Sequence, residues 1–220
     1  MLSVFSITMS LDTFGDDIFI VGKDMRPGWY YSVLVLFGKN RIGVIDTGFE
    51  NTLDDLVIPL IKEKGRDPSE INLVVNTHRD GDHVKGNQSF KDKTDATIMA
   101  HHLEAEAIPL VDKTFKEDDV LHIGDRSFKV INTPGHRPGA VCLFDEKNKL
   151  LITADSVAGG RKDLIRMEKE VYIKSLKGLL DLDVEHMIMS HPFQPAGKNI
   201  LEGSEISEMI KASIEIAENL

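Results

Sequence analysis

Short β-branched and aromatic runs alternate with polar, turn-rich stretches along the chain, and the period of the apolar positions changes as it proceeds. Ile18-Phe19-Ile20-Val21, Ser32-Val33-Leu34-Val35-Leu36 and Ile42-Gly43-Val44-Ile45 have the length and residue types of strands, with a turn at Pro27-Gly28 between the first two. After Asp46-Thr47-Gly48 the period lengthens. Leu53, Leu56, Val57, Leu60 and Ile61 recur at helical spacing until Gly65 stops them. Ile71 to Val75 is strand-like again and runs directly into Thr77-His78-Arg79-Asp80-Gly81-Asp82-His83.

The same style continues. Strands are predicted at Ala96 to Ala100 and Arg126 to Asn132, with a short helix between them that His101 and His102 introduce and that runs from Leu103. Strands follow at Ala140 to Phe144 and Leu150 to Thr153, then a helix from about Glu168 to Leu182. A strand at His186 to Met189 and an amphipathic helix from about Gly203 to Glu218 complete the pattern. Two strand-rich halves, each with its own helices, predict an α/β (α+β layered) fold, an αββα sandwich. No Pro/Ser-rich linker or low-complexity tract interrupts it, so residues 1–220 are expected to form one domain.

Composition narrows the function classes. A chain of 220 residues with 41% hydrophobic residues can bury a substantial core. The net charge of −10, with acids spread along the chain, argues against nucleic acid or an anionic membrane as partner. The single cysteine, Cys142, lies in the apolar stretch Ala140 to Phe144 and is expected to be a small core residue. The first ten residues lack a basic region, a sustained apolar run and a small-residue cleavage site, so export is not expected. The apolar stretch around Tyr30 to Gly38 is far below the roughly 20 residues that cross a bilayer as a helix. A cytoplasmic protein acting on a small molecule is the expectation.

The candidate chemistry lies in His and Asp residues that follow predicted strands, where a loop aims side chains into a shared site. His78, Asp80, Asp82 and His83 are close enough in sequence to converge on one or two divalent cations. Alternatively, this is an acidic loop in which Asp82 caps a helix beginning near Val84. Thr133-Pro134-Gly135-His136-Arg137-Pro138-Gly139 holds a histidine in a turn stiffened by Pro and Gly. Asp155, in Thr153-Ala154-Asp155-Ser156, and His191, in Met189-Ser190-His191-Pro192, each end a strand. Taken singly, such an Asp or His is more often a cap or a packed side chain.

Together, in this order, they resemble the metallo-β-lactamase superfamily, whose signature is His-x-His-x-Asp-His followed by a later His, an Asp and a final His. The likeness extends over nearly the whole chain, including Asp46-Thr47-Gly48 and the Gly-His-x-Pro-Gly turn around His136, and the separations look like those of the glyoxalase II-like branch. The resemblance implies the αββα metallo-β-lactamase sandwich and two divalent metal ions. His78, Asp80 and His136 would hold the first ion, Asp82, His83 and His191 the second, and Asp155 would bridge them. Asp80 and Asp82 would be the catalytic carboxylates. A hydroxide shared by the metals would be the nucleophile in hydrolysis of a small ester, thioester, lactone or phosphoester.

The sequence departs from the family at Asp80, where the motif has its second histidine. A third ligand carboxylate lowers the net positive charge of the site, so zinc is expected first but manganese or iron becomes admissible. The set His78, Asp80, His136 also resembles non-haem iron ligation, and flavodiiron proteins carry Glu at this motif position. A di-iron redox protein is therefore one alternative, and a metal-binding, non-catalytic member of the fold is another. The flavodoxin domain of the flavodiiron proteins and the glutathione-binding helical domain of the glyoxalase II family are both expected to be absent, because only one helix is predicted after His191. Arg79, Lys85, Arg137, Arg161 and Lys162 neighbour the proposed ligands and could receive an anionic substrate group. Trp29 and Tyr30 are expected to form part of a lid or to pack an edge, and Tyr172 and Lys174 to line the pocket or the helix surface. His101, His102, His122 and His186 are left out of the site.

Overall fold

The computed structural model describes residues 9–26 and 29–220, so the first eight residues and the turn at Pro27-Gly28 lie outside the described residues. Strands β1 (Met9–Phe14), β2 (Ile18–Arg26), β3 (Trp29–Phe37) and β4 (Ile42–Ile45) form an antiparallel run. To it β5 (Ile71–Asn76), β6 (Thr97–His101) and β7 (Lys113–Phe115) add in parallel, giving one seven-stranded sheet in sequence order. The second sheet is six-stranded. It comprises β8 (Val120–Ile123), β9 (Arg126–Asn132), β10 (Val141–Asp145), β11 (Leu150–Ile152), β12 (His186–Ile188) and β13 (Ile200–Glu202).

Alternation along each strand sorts side chains between two layers. Ile18, Ile20, Leu34, Leu36, Ile45 and Val75 of the first sheet meet Phe128, Val130, Val141, Leu143, Leu150, Ile152 and Ile188 of the second in one central core. The odd-numbered neighbours Phe19, Val21, Val33 and Val35 face outward onto Leu53, Leu56, Leu60 and Ile61. On the opposite outer face, Leu151 and Met187 pack under helices α4 (Lys169–Leu180) and α5 (Ser204–Glu218). In α5 the buried residues Ile206, Met209, Ile210, Ser213, Ile214 and Ala217 repeat with the period of a helix. The layers therefore run helix, sheet, sheet, helix, as the pattern predicts. Among the described residues no helix is long and apolar enough to cross a membrane.

Several predictions from the pattern need correction. The stretch from Leu53 starts as a π-helical turn, Leu53–Val57, before α1 (Ile58–Glu63). Pro59 cannot donate the next hydrogen bond of a regular helix, and the Ile58 N–H reaches back to Leu53 O. His101 does not begin a helix but ends β6. The chain beyond it makes only a single turn at Ala105–Ala107 before Pro109, with the His102 N–H bonded to Phe115 O. Asp82 is not an N-cap, because helix α2 (Gly81–Val84) already starts at Gly81. A further helix, α3 (Asn87–Lys93), follows in a stretch with no clear apolar period. Strands β1, β7, β8 and β13 are not predicted from the sequence at all. Three of them are three or four residues long, and all four lie at sheet edges, where patterning is weak.

Candidate metal centre

The topology brings the motif loops to one edge of the sandwich. β4 and β5 are parallel, so Asp46-Thr47-Gly48 and the loop from Thr77 to His83 leave the first sheet at the same end. In the second sheet β10 runs antiparallel to both β9 and β11, and β12 is parallel to β11. The C-terminal ends of β9, β11 and β12 therefore also coincide, and from them come the His136 turn, the Asp155 turn and the His191 loop. Val141 N–H to Thr77 O (3.2 Å) and Ser32 Oγ–H to Ser190 O (2.7 Å) tie the two sheets together there.

Two backbone features set the loops. Asp46 and Ala154 occupy positive φ, at 61° and 44°, which is costly for residues with a Cβ and turns each loop sharply at the strand end. Gly135, at φ 147°, lies against the Tyr172 ring. A Cβ there would sit 2.4 Å from Tyr172 Cδ2, so only glycine lets the His136 turn approach α4 this closely.

All seven motif residues converge. Atoms of His78, Asp80 and His136 lie within 4.8 Å of one another, as do those of Asp82, His83 and His191, and those of His78, His83 and Asp155. Asp155 stands between the two outer sets. Its Oδ2 faces His78 Nε2 (3.9 Å) and His136 Nε2 (3.8 Å), while its Oδ1 faces His83 Nε2 (3.5 Å) and His191 Nε2 (3.2 Å).

The hydrogen-bond network assigns the same tautomer to all four histidines. His83 Nδ1–H donates to Asp46 Oδ2 (2.7 Å), His136 Nδ1–H to Leu164 O (2.8 Å) and His191 Nδ1–H to Tyr30 O (2.5 Å). The Thr77 hydroxyl spends its proton on Asp46, so His78 Nδ1–H donates to Thr77 Oγ1 (3.1 Å). Each ring thus turns an Nε2 lone pair inward. His78 Nε2, His83 Nε2 and Asp155 Oδ1 are buried without a hydrogen-bond partner, an arrangement that costs free energy unless a cation shares them. Buried lone pairs from imidazoles and carboxylates aimed at one another are a donor set that fits divalent metal ions.

Charge is balanced within this cluster. Burial would raise the Asp155 carboxyl, but His191 and His83 beside it hold it well below the usual carboxylate range. Burial lowers His78, reinforced by His83. For His83 and His191 the desolvation penalty is outweighed, by Asp46 and Asp155 at the first and by Asp155 at the second, and both are raised. Burial would also raise Asp80, but His136 and His78 beside it and the Arg137 guanidinium hold it far down.

A cavity of about 610 Å³ opens over Asp80, Asp82, Asp155 and His191, walled by Trp29, Tyr30, Leu164 and Phe193 with Arg161 and Arg166 at its side. Trp29 and Tyr30 thus belong to the cavity wall. Tyr172 does not line it: the side chain is 1% exposed within the core, and Lys174 points to solvent. Of the cations near the motifs, Arg79 faces buried Glu104 (3.5 Å), Lys85 lies over the Phe49 ring and Arg161 pairs with Asp163. Arg137, by contrast, reaches the cluster at Asp80. Arg166, which the sequence pattern did not single out, also contacts Asp80 (2.6 Å). Cys142 is buried, and burial pushes its thiol up to about 12, as suits a core residue.

Comparison with known proteins agrees with this geometry. The family model described as the metallo-beta-lactamase superfamily matches residues 26–191. A hydroxyacylglutathione hydrolase from Chelativorans sp. (strain BNC1) is 34% identical over 136 residues, covering 61% of this chain and 52% of that protein. One from Mesorhizobium japonicum is 34% identical over 127 residues, covering 57% and 49%. The chain therefore spans about half the length of these curated relatives. Among solved structures, a metallo-beta-lactamase from Pontibacter korlensis superposes with a TM-score of 0.78 at 16% identity, covering 97% of this chain and 100% of that one. A flavo di-iron protein mutant from Thermotoga maritima gives 0.75 at 16%, covering 96% and 62%. At these identities the structural likeness speaks for the fold.

Proposed function

The chain belongs to the metallo-β-lactamase superfamily, and from this premise we propose that it is a binuclear metal-dependent hydrolase of the glyoxalase II-like branch whose two sheets work as one domain. The observation that carries the reading is Asp155, which offers one carboxylate oxygen to His78 and His136 and the other to His83 and His191. His78, Asp80 and His136 would hold one ion, Asp82, His83 and His191 the other, and Asp155 both. When bound, divalent cations supply a water of lowered pKa and Lewis acidity towards a carbonyl or phosphoryl oxygen.

The remaining work falls to the chain. Asp46, Leu164 O, Tyr30 O and Thr77 fix the Nδ1 side of the four histidines, so every Nε2 points inward. Asp82, partly exposed at the cavity floor, has its Oδ2 3.5 Å from His191 Nε2 and is placed to accept a proton at that oxygen. Trp29, Tyr30 and Phe193 exclude water from one wall and offer apolar surface to the substrate, while Arg161 and Arg166 suit an anionic group. The substrate is a small ester, thioester, lactone or phosphoester.

The test is metal content per chain, on protein purified without chelator, together with turnover of ester and phosphodiester reporters. About two zinc or manganese ions and chelator-sensitive hydrolysis are expected. The His78, Asp80, His136 set also suits iron. Iron with visible absorption and oxygen chemistry, and no hydrolysis, would replace this reading by a redox one. Metal without turnover on any reporter would leave a binding protein.

A further inference from the structure

The two candidate ion positions are not equivalent. The carboxylate of Asp80 is already engaged on both oxygens: Oδ1 accepts from Arg137 Nε (2.6 Å) and Nη2 (2.5 Å), and Oδ2 accepts from Arg166 Nη1 (2.6 Å) and faces His136 Nε2 (3.0 Å). Asp82, the corresponding acid of the other set, has His83 and His191 as its charged neighbours and no guanidinium in contact among the described residues. The remaining cation on the cavity wall, Arg161, is taken up by Asp163 through two hydrogen bonds.

A paired guanidinium and carboxylate make directional, charge-assisted hydrogen bonds, and here two guanidiniums converge on one acid. An ion arriving between His78, Asp80 and His136 meets a carboxylate whose lone pairs are shared and two fixed positive charges directly behind it. Both effects oppose it. An ion arriving between Asp82, His83 and His191 meets neither.

We propose that Arg137 and Arg166 form a clamp on Asp80 that makes loading sequential. The position of Asp82, His83, His191 and Asp155 fills first, and the position of His78, Asp80 and His136 fills only as Asp80 gives up guanidinium contacts to the ion. The two arginines are positioning residues that set the metal affinity of one half of the site. The proposal rests on the binuclear reading above.

Cobalt(II) titration of the metal-free protein tests it, followed by visible absorption and by a competing chromophoric chelator, with ions per chain counted by elemental analysis. Wild type is expected to bind in two steps, the second at least about tenfold weaker. In R137A/R166A, and in the milder R166A alone, the second step should tighten towards the first, by about tenfold in the double variant, while the first step and its spectrum stay unchanged. Two equal steps in wild type overturn the clamp and leave the binuclear reading standing. A second step unchanged or weakened in R137A/R166A also overturns it, because the arginines would then be holding Asp80 in place for the ion. A second ion missing from wild type, R137A/R166A and D80H alike would remove the binuclear reading and the clamp with it.

Discussion

The Asp46 carboxylate stands 2.7 Å from His83 Nδ1 while also accepting the backbone N–H of Thr77 at 2.8 Å. One acid, held at positive φ, thus fixes both the imidazole ring and the start of the loop that carries four candidate ligands. Asp46→Asn keeps an acceptor but loses the charge that favours an Nδ1–H tautomer. It is expected to weaken metal binding by about 10–100-fold, with activity largely restored by excess metal. Competition titration beside a rate measurement at saturating metal checks this, and an unchanged metal affinity would confine Asp46 to a structural role.

Asp155 has the reverse character, touching both ion positions at once. Asp155→Ala should leave less than one tightly bound ion per chain and abolish hydrolysis. The rise in melting temperature that metal gives wild type should vanish in the variant, since only binding to the folded state stabilises it. Retention of two ions would show that Asp155 does not bridge.

Glycines offer an internal contrast. In Gly135→Ala the new methyl collides with Tyr172, and the backbone there is at a φ that L residues avoid, so a loss of about 1–3 kcal/mol is expected, together with weakened metal binding through His136. Gly178, inside α4, has no neighbouring atom in the way. Gly178→Ala should stabilise by about 0.4–1 kcal/mol and leave metal affinity alone. Denaturant unfolding of both variants distinguishes the two predictions.

His101 provides a pH signature away from the metal cluster. Burial, aided by His102, lowers its pKa from 6.5 to about 4, and Nδ1 accepts the Leu103 N–H at 3.4 Å, which requires an unprotonated nitrogen. The unfolded chain therefore takes up a proton that the folded chain refuses. This contribution to stability is intact above pH 6.5 and is lost as the pH falls towards 4. His101→Gln should flatten the fall in unfolding free energy over that window by up to one proton. Parallel slopes in the two proteins would refute it.

The sequence made the long elements and the cluster legible for different reasons. The continuous apolar runs of β2 and β3 reflect burial on both faces and the helical period of α5 burial on one, and the sequence pattern records both directly. β7, β8 and β13 are too short to carry a period, and α3 sends only Phe90 into the hydrophobic core, its other buried residue, Asn87, being held by hydrogen bonds to Thr47, Asn76 and Pro109. At the site, the order of His and Asp along the chain marked the seven residues, and parallel strand pairing is what gathers them. Arg166 left no mark. It reaches Asp80 only because the irregular stretch after Asp155 folds back, with the Arg166 and Met167 N–H groups on Gly135 O. Tyr172, expected at the pocket or on the helix surface, is instead in the core, where its hydroxyl accepts the buried Ala158 N–H (3.4 Å).

The sheet order carries one more implication. Strands β1 to β7 build the first sheet and β8 to β13 the second, with only the exposed turn around Lys116 to Asp118 crossing between them. Asp46, His78, Asp80, Asp82 and His83 therefore belong to the first half of the polypeptide, and His136, Asp155 and His191 to the second. A chain opened at that turn would give two fragments, neither able to complete an ion position, whose apolar inner faces match. Reassembly of such fragments would be reported by metal uptake, and the metal would in turn serve as the rivet that keeps the two pieces together.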